Sequence, residues 1–103
     1  RVNILRSMTP DWAFSASKHG ISYIDVAYVI SKEEFKKVLP NFPDPYSEGG
    51  IVTLYIGFQH PQATKEIEVL VRTFPNSERR AKIFHVMPLR QQFREMRDQD
   101  KDS

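Results

Sequence analysis

The sequence predicts an α+β domain: two or three short N-terminal helices, a three-stranded antiparallel meander and a C-terminal helix, with an additional N-terminal edge strand allowed. Three observations carry this prediction. Helix-capping residues and apolar residues at helical spacing occupy the first 39 positions. Apolar and polar residues then alternate through three segments between 51 and 87, joined by turns too short for parallel crossovers. After Pro88 the pattern returns to helical spacing.

Val2-Asn3-Ile4-Leu5-Arg6 reads as the edge strand. At Thr9-Pro10-Asp11 a cap, a first-position proline and an acid open a helix expected to run to His19, with Gly20 as its left-handed terminator. Ser22 and Asp25 open a second helix whose stripe is Val26, Val29 and Ile30, and Ile21 can staple onto Val26. Ser31 and Glu34 repeat the capping signature before Phe35, Val38 and Leu39, so a third short helix, or a bend in a longer one, is expected there. Pro40, Pro43 and Pro45 make residues 40–50 a loop carrying Phe42 and Tyr46, a plain connector or a binding element. The strands are 51–58, 66–74 and 81–87, and the last helix is 89–98 with Leu89, Phe93 and Met96 turned inward and Arg90, Arg94 and Arg97 on another face.

The 103-residue chain is one domain, residues 1–98, with a polar tail at 99–103. Its 40% hydrophobic and 27% charged residues are ordinary for a globular protein. The lack of cysteine excludes disulfides, thiolate metal sites and a cysteine nucleophile. It also suits the cytoplasm, the expected location. No apolar run is long enough to span a bilayer, so no membrane partner is expected. The chain opens on Arg1 rather than Met, which leaves a trimmed leader open. The three histidines show no metal-pair spacing, and no phosphate-binding glycine loop or nucleophile elbow is present; no metal or cofactor is expected.

Net charge is only +2, but from Arg72 to Arg97 seven basic residues face two acidic ones, a local +5. That is either a solvated basic face or a contact surface for nucleic acid. Period-two phasing puts most aliphatic side chains on one sheet face, which should carry the helices, and gathers Tyr55, Glu68, Arg72 and His85 on the other. Imidazole changes charge near neutral pH, and a guanidinium fork suits phosphate. With these groups RNA can be cut without metal, through its own 2′-hydroxyl. His85 is then general acid or base, Glu68 orients it or shares the proton, Arg72 stabilises the phosphate and Tyr55 completes the set. The plain alternative is a structural histidine, a surface ion pair of Glu68 with Arg72, and a half-buried Tyr55.

Lys18-His19-Gly20-Ile21-Ser22, followed by Asp25, Val26 and Ala27, resembles the BrnT-type toxins, small proteins related to RelE and ParE toxins. The likeness is close over residues 11–30 and extends to 51–98 only as a pattern of strands and helix. In BrnT-type proteins an Ile-Ser-Ala-Arg run ends the last strand; here Ile83-Phe84-His85-Val86-Met87 stands there, and the arginine is either lost, with His85 as its substitute, or displaced to Arg90. The resemblance implies a RelE-like fold and an endoribonuclease toxin held in check by a cognate antitoxin protein. RNA phosphates would then lie on Arg79, Arg80, Arg90 and Arg94, with Lys18 and His19 at a helix end as second contacts. The competing reading is a non-catalytic module that binds nucleic acid or protein with the same face; a purely structural subunit would do neither. A homodimer through a sheet edge fits any of these.

Overall fold

The computed structural model describes residues 10–101. In chain order these form β1 (Asp11–Trp12), a 3-10 turn (Phe14–Ser17), α1 (Tyr23–Lys32), β2 (Phe35–Val38), β3 (Ile51–Phe58), β4 (Glu66–Thr73), β5 (Lys82–Pro88) and α2 (Gln91–Lys101). The strands make one mixed sheet in the order β1-β5-β4-β3-β2, with β1 parallel to β5 and every other pair antiparallel. The central β3-β4-β5 meander matches the expectation, but the described residues form a sheet of five strands, not three, and two α-helices, so the expected three-stranded, RelE-like architecture is incorrect.

The two additional strands replace expected helices. The segment opened by Pro10 does not coil: Asp11 N–H donates to the Ala81 carbonyl at 2.8 Å and Ala13 N–H to that of Ile83 at 2.9 Å. A free edge of β5 therefore captures this stretch, and only the 3-10 turn remains helical. Thr9 and the expected 2–6 strand lie outside the described residues. At the other edge, α1 stops at Lys32 because Glu33 turns left-handed (φ 50°). Ser31 spends its hydroxyl on the Tyr28 carbonyl of its own helix instead of capping a new one. Phe35–Val38 then pairs with β3, Phe35 opposite Ile56. A segment this short fits either period, and an open sheet edge decides between them.

α1 follows its signals. Ser22 Oγ accepts from Asp25 N–H at 3.3 Å, Asp25 sits in the first turn and Lys32 in the last. Its buried stripe, Val26, Val29 and Ile30, packs with Tyr55, Val69, Val71, Ile83 and Val86 on one sheet face. α2 covers the other face, where Phe93, Leu89 and Met96 meet Val52, Leu54, Ile56, Leu70 and Phe84. Helices therefore cover both faces, not one. Fully buried Leu54, Ile56 and Leu70 contribute roughly 2–3 kcal/mol each. The cross-strand register explains the second face: Ile56, Leu54 and Val52 stand opposite Glu68, Leu70 and Arg72. The greasy set of β3 thus shares a face with the polar set of β4.

Candidate active site

One residue of irregularity builds the site. Leu70 pairs with His85 and Val71 with Ile83, which leaves Phe84 as an extra residue in β5. Strict alternation would put Ile83, His85 and Met87 together under α1. The bulge instead keeps Ile83 and Val86 in the α1 core and turns both Phe84 and His85 toward α2. There His85 lies diagonal to Glu68 of β4, which pairs with Met87.

Glu68 is fully buried and both of its carboxylate oxygens are hydrogen-bonded. Its Oε2 lies 2.7 Å from His85 Nε2 and 2.8 Å from Arg90 Nε, while Oε1 accepts from Arg90 backbone N–H at 2.8 Å. Arg90 Nη2 stands 2.7 Å from the same carboxylate and 3.4 Å from His85 Nε2. Burial pushes the Glu68 carboxyl up, but hydrogen bonds from His85 and Arg90, with the guanidinium charge, outweigh it and hold its pKa below the ordinary 4.5. An anionic Glu68 fixes the proton of a neutral His85 on Nε2, because a carboxylate only accepts. That leaves Nδ1 as the free lone pair of a side chain about one-quarter exposed. Glu68 accepts the backbone N–H of Arg90, the residue just before α2, so its negative charge lies at the positive end of that helix.

Of the four residues expected to converge, the structure brings together His85 and Glu68. Tyr55 is on the opposite face, because its register partner is Val69 of the α1 core. Arg72 is buried but directed elsewhere: its Nη1 donates to the Gly49 carbonyl at 2.9 Å, stands 3.8 Å from Asp44 Oδ1, and its guanidinium covers the Phe84 ring at 5.3 Å. The cation beside the imidazole is Arg90, expected only as a phosphate contact. Arg94 points to Glu66 at 4.0 Å, and Arg97 pairs closely with Glu66 and lies 3.3 Å from Asp98. Arg80 lies 3.9 Å from Asp11. Arg79 is exposed, bonds the Glu48 carbonyl and stacks on Phe74. Lys18 and His19 follow the 3-10 turn as exposed residues, not a helix end, and nothing joins them to His85 among the described residues.

Sequence reasoning named Glu68 but missed its pairing with Arg90, and it missed Glu66, which receives Arg94 and Arg97. Glu66 and Glu68 stand two apart on one strand, hence on one face, and Arg90, Arg94 and Arg97 form a stripe at i, i+4, i+7 on the next helix. That complementarity was a readable signal. Among the described residues no three His, Asp or Glu side chains are grouped to hold a metal, and no helix is long and apolar enough to cross a membrane.

Searches against protein-family models, curated proteins and solved structures found no match to this chain.

Proposed function

We propose that the chain is a metal-independent endoribonuclease of the BrnT toxin kind, active in the cytoplasm and neutralised by a cognate antitoxin. The observation that carries this reading is the buried carboxylate holding Nε2 of a part-exposed imidazole, with a guanidinium 3.4 Å from that nitrogen. The Lys18–Ala27 resemblance supports the toxin half.

In this mechanism His85 Nδ1 takes the proton of an RNA 2′-hydroxyl. The 2′-oxygen bonds to the adjacent phosphorus and the bond from phosphorus to the 5′-oxygen breaks. The departing oxygen takes the proton back from the imidazolium, leaving a 2′,3′-cyclic phosphate and a 5′-hydroxyl. Arg90, whose side chain is 39% exposed, offers its remaining N–H groups to the crowded phosphate, the role first expected of Arg72. Glu68 touches no substrate; it positions His85 and balances the imidazolium.

The test is cleavage of RNA by the purified chain without added metal, together with growth of cells expressing it without a partner. His85→Gln should lower the cleavage rate at least ~100-fold, the usual worth of one acid–base group, while the melting temperature stays close to wild type. A 2′-deoxy residue at the cut should block the reaction. Intact RNA with wild-type protein and unimpaired growth would refute the enzyme reading.

A second reading, a binding module that does not cut, is favoured by one observation. Arg72, Lys82, Arg90 and Arg97 all face carboxylates of this chain, so much of the basic stretch is occupied by folding. Binding of a protein partner by the same face, with neither RNA retention nor cleavage, would select its protein-binding form.

A further inference from the structure

Beyond the end of β4 is a built element outside the candidate site. Ser77 N–H closes a turn onto the Phe74 carbonyl at 3.1 Å, and Arg79 N–H bonds Ser77 Oγ at 3.1 Å. The chain thereby folds back and lays the Arg79 guanidinium over the Phe74 ring, with Cζ 3.7 Å from the ring centroid. The ring is braced from the 40–50 loop: a Cβ on Gly50 would lie 2.8 Å from the ring edge and closer still to the Thr73 carbonyl, so only glycine lets the backbone pass there. The loop is itself fixed. Asp44 accepts from Glu48 and Gly49 N–H, each at 2.9 Å, and Arg72 bonds the Gly49 carbonyl.

Arg79 donates Nη1 to the Glu48 carbonyl at 3.1 Å, which sets the plane of the guanidinium. Of the seven cations from Arg72 to Arg97 it is the one that meets no carboxylate among the described residues. A pinned, exposed guanidinium with aromatic backing presents a flat cationic face and a fork of unspent N–H groups. Beside it is a cavity of about 360 Å³ lined by Gly50, Ile51, Phe74, Pro75, Asn76 and Ser77. Tyr46, 84% exposed, stands two residues from Glu48 on the same loop.

We infer that the Arg79–Phe74 stack is a second RNA subsite, which takes one unpaired nucleobase of single-stranded RNA on the guanidinium plane and the neighbouring phosphate on its free N–H groups. This rests on the proposed action on RNA and adds where a flanking nucleotide is held. Phe74 lies six residues along the chain from Glu68, about 20 Å at strand rise. One nucleotide cannot span that distance, so the substrate is a strand of several nucleotides. Stacking on an arginine plane is how proteins take unstacked bases, and it tolerates any base because each has a π-face.

The experiment measures fluorescence anisotropy of a single-stranded RNA with 2′-O-methyl sugars, which cannot be cut, and of a matched RNA with abasic positions. Wild type should bind the base-bearing strand about tenfold more tightly than the abasic one, the worth of one stacked base. Arg79→Lys keeps the charge and removes the plane, so it should lose that preference while keeping the dependence on salt. Phe74→Ala should weaken binding similarly, and Arg79→Lys, an exposed change, covers the case in which Phe74→Ala fails to fold. Equal affinity of wild type and Arg79→Lys for the base-bearing strand would overturn the subsite and leave the nuclease reading standing. If wild type neither binds nor cuts RNA, both fall.

Discussion

Glu68→Gln changes one atom and should cost this protein a large part of its stability. The carboxylate is fully buried and receives His85 Nε2, Arg90 Nε, Arg90 Nη2 and the Arg90 backbone N–H within 2.8 Å. The amide keeps one acceptor oxygen, and whichever way it is turned its N–H₂ group meets an Arg90 N–H that has no lone pair to offer. Removing one partner of a buried pair costs about 3–5 kcal/mol. The Arg90 side chain is 39% exposed and regains some water, so the low end, about 3 kcal/mol, is the expected loss. For a domain this size that lowers the melting temperature by roughly 12–24 °C. Circular-dichroism melts and urea titrations at neutral pH measure it directly. The acid range gives a second check. Because Glu68 has a folded pKa below its ordinary 4.5, its stabilisation is complete above that value and is lost as pH falls through the folded pKa. The gap between wild type and Glu68→Gln should therefore narrow on acidification. A loss below about 1 kcal/mol at neutral pH, or a gap that widens in acid, would refute the claim that this carboxylate holds β4, β5 and α2 together.

Two further outcomes follow from the same contacts. Arg97→Ala removes a side chain only 11% exposed that pins α2 to Glu66 and should lower stability by about 2 kcal/mol, seen as a fall in the urea midpoint. Gly49 and Gly50 share φ 78°, but only Gly50 is crowded by Thr73 and Phe74. Both alanine variants carry the left-handed penalty of about 1 kcal/mol, and Gly50→Ala should lose clearly more in the same titration; equal losses would show that the close approach to Phe74 does not matter.

The elements whose local signals agree with each other were legible in the sequence. Ser22, Asp25 and the 26/29/30 stripe specify α1, the alternation of 51–58 and 66–73 specifies β3 and β4, and Leu89, Phe93 and Met96 specify the inner side of α2. What was not legible depends on partners distant in sequence. Trp12 and Phe35 become strand residues because β5 and β3 offer open edges, an effect no window of a dozen residues contains. The site was half legible for the same reason. Period two groups Glu68 with Arg72 and His85 with Met87, but it does not say which set of β3 lies beside them, so Tyr55 was placed on the wrong face. The bulge at Phe84 is what brings His85 onto the face of Glu68, and nothing in Ile83-Phe84-His85 announces an extra residue.

Charge is the other quantity a sequence window misstates. The +5 stretch implies a basic surface, yet six of its seven cations meet Asp11, Asp44, Glu48, Glu66 or Glu68, all of which lie earlier in the chain. Folding spends those cations on fastening the 40–50 loop and α2 to the sheet. Close pairs of opposite sign cancel at a distance, so long-range attraction of a polyanion is far weaker than a count of arginines suggests. Any recognition of RNA by this face therefore relies on contact geometry: the imidazole aimed by Glu68, the exposed part of Arg90, and the Arg79 guanidinium, whose partners among the described residues are a carbonyl and a ring.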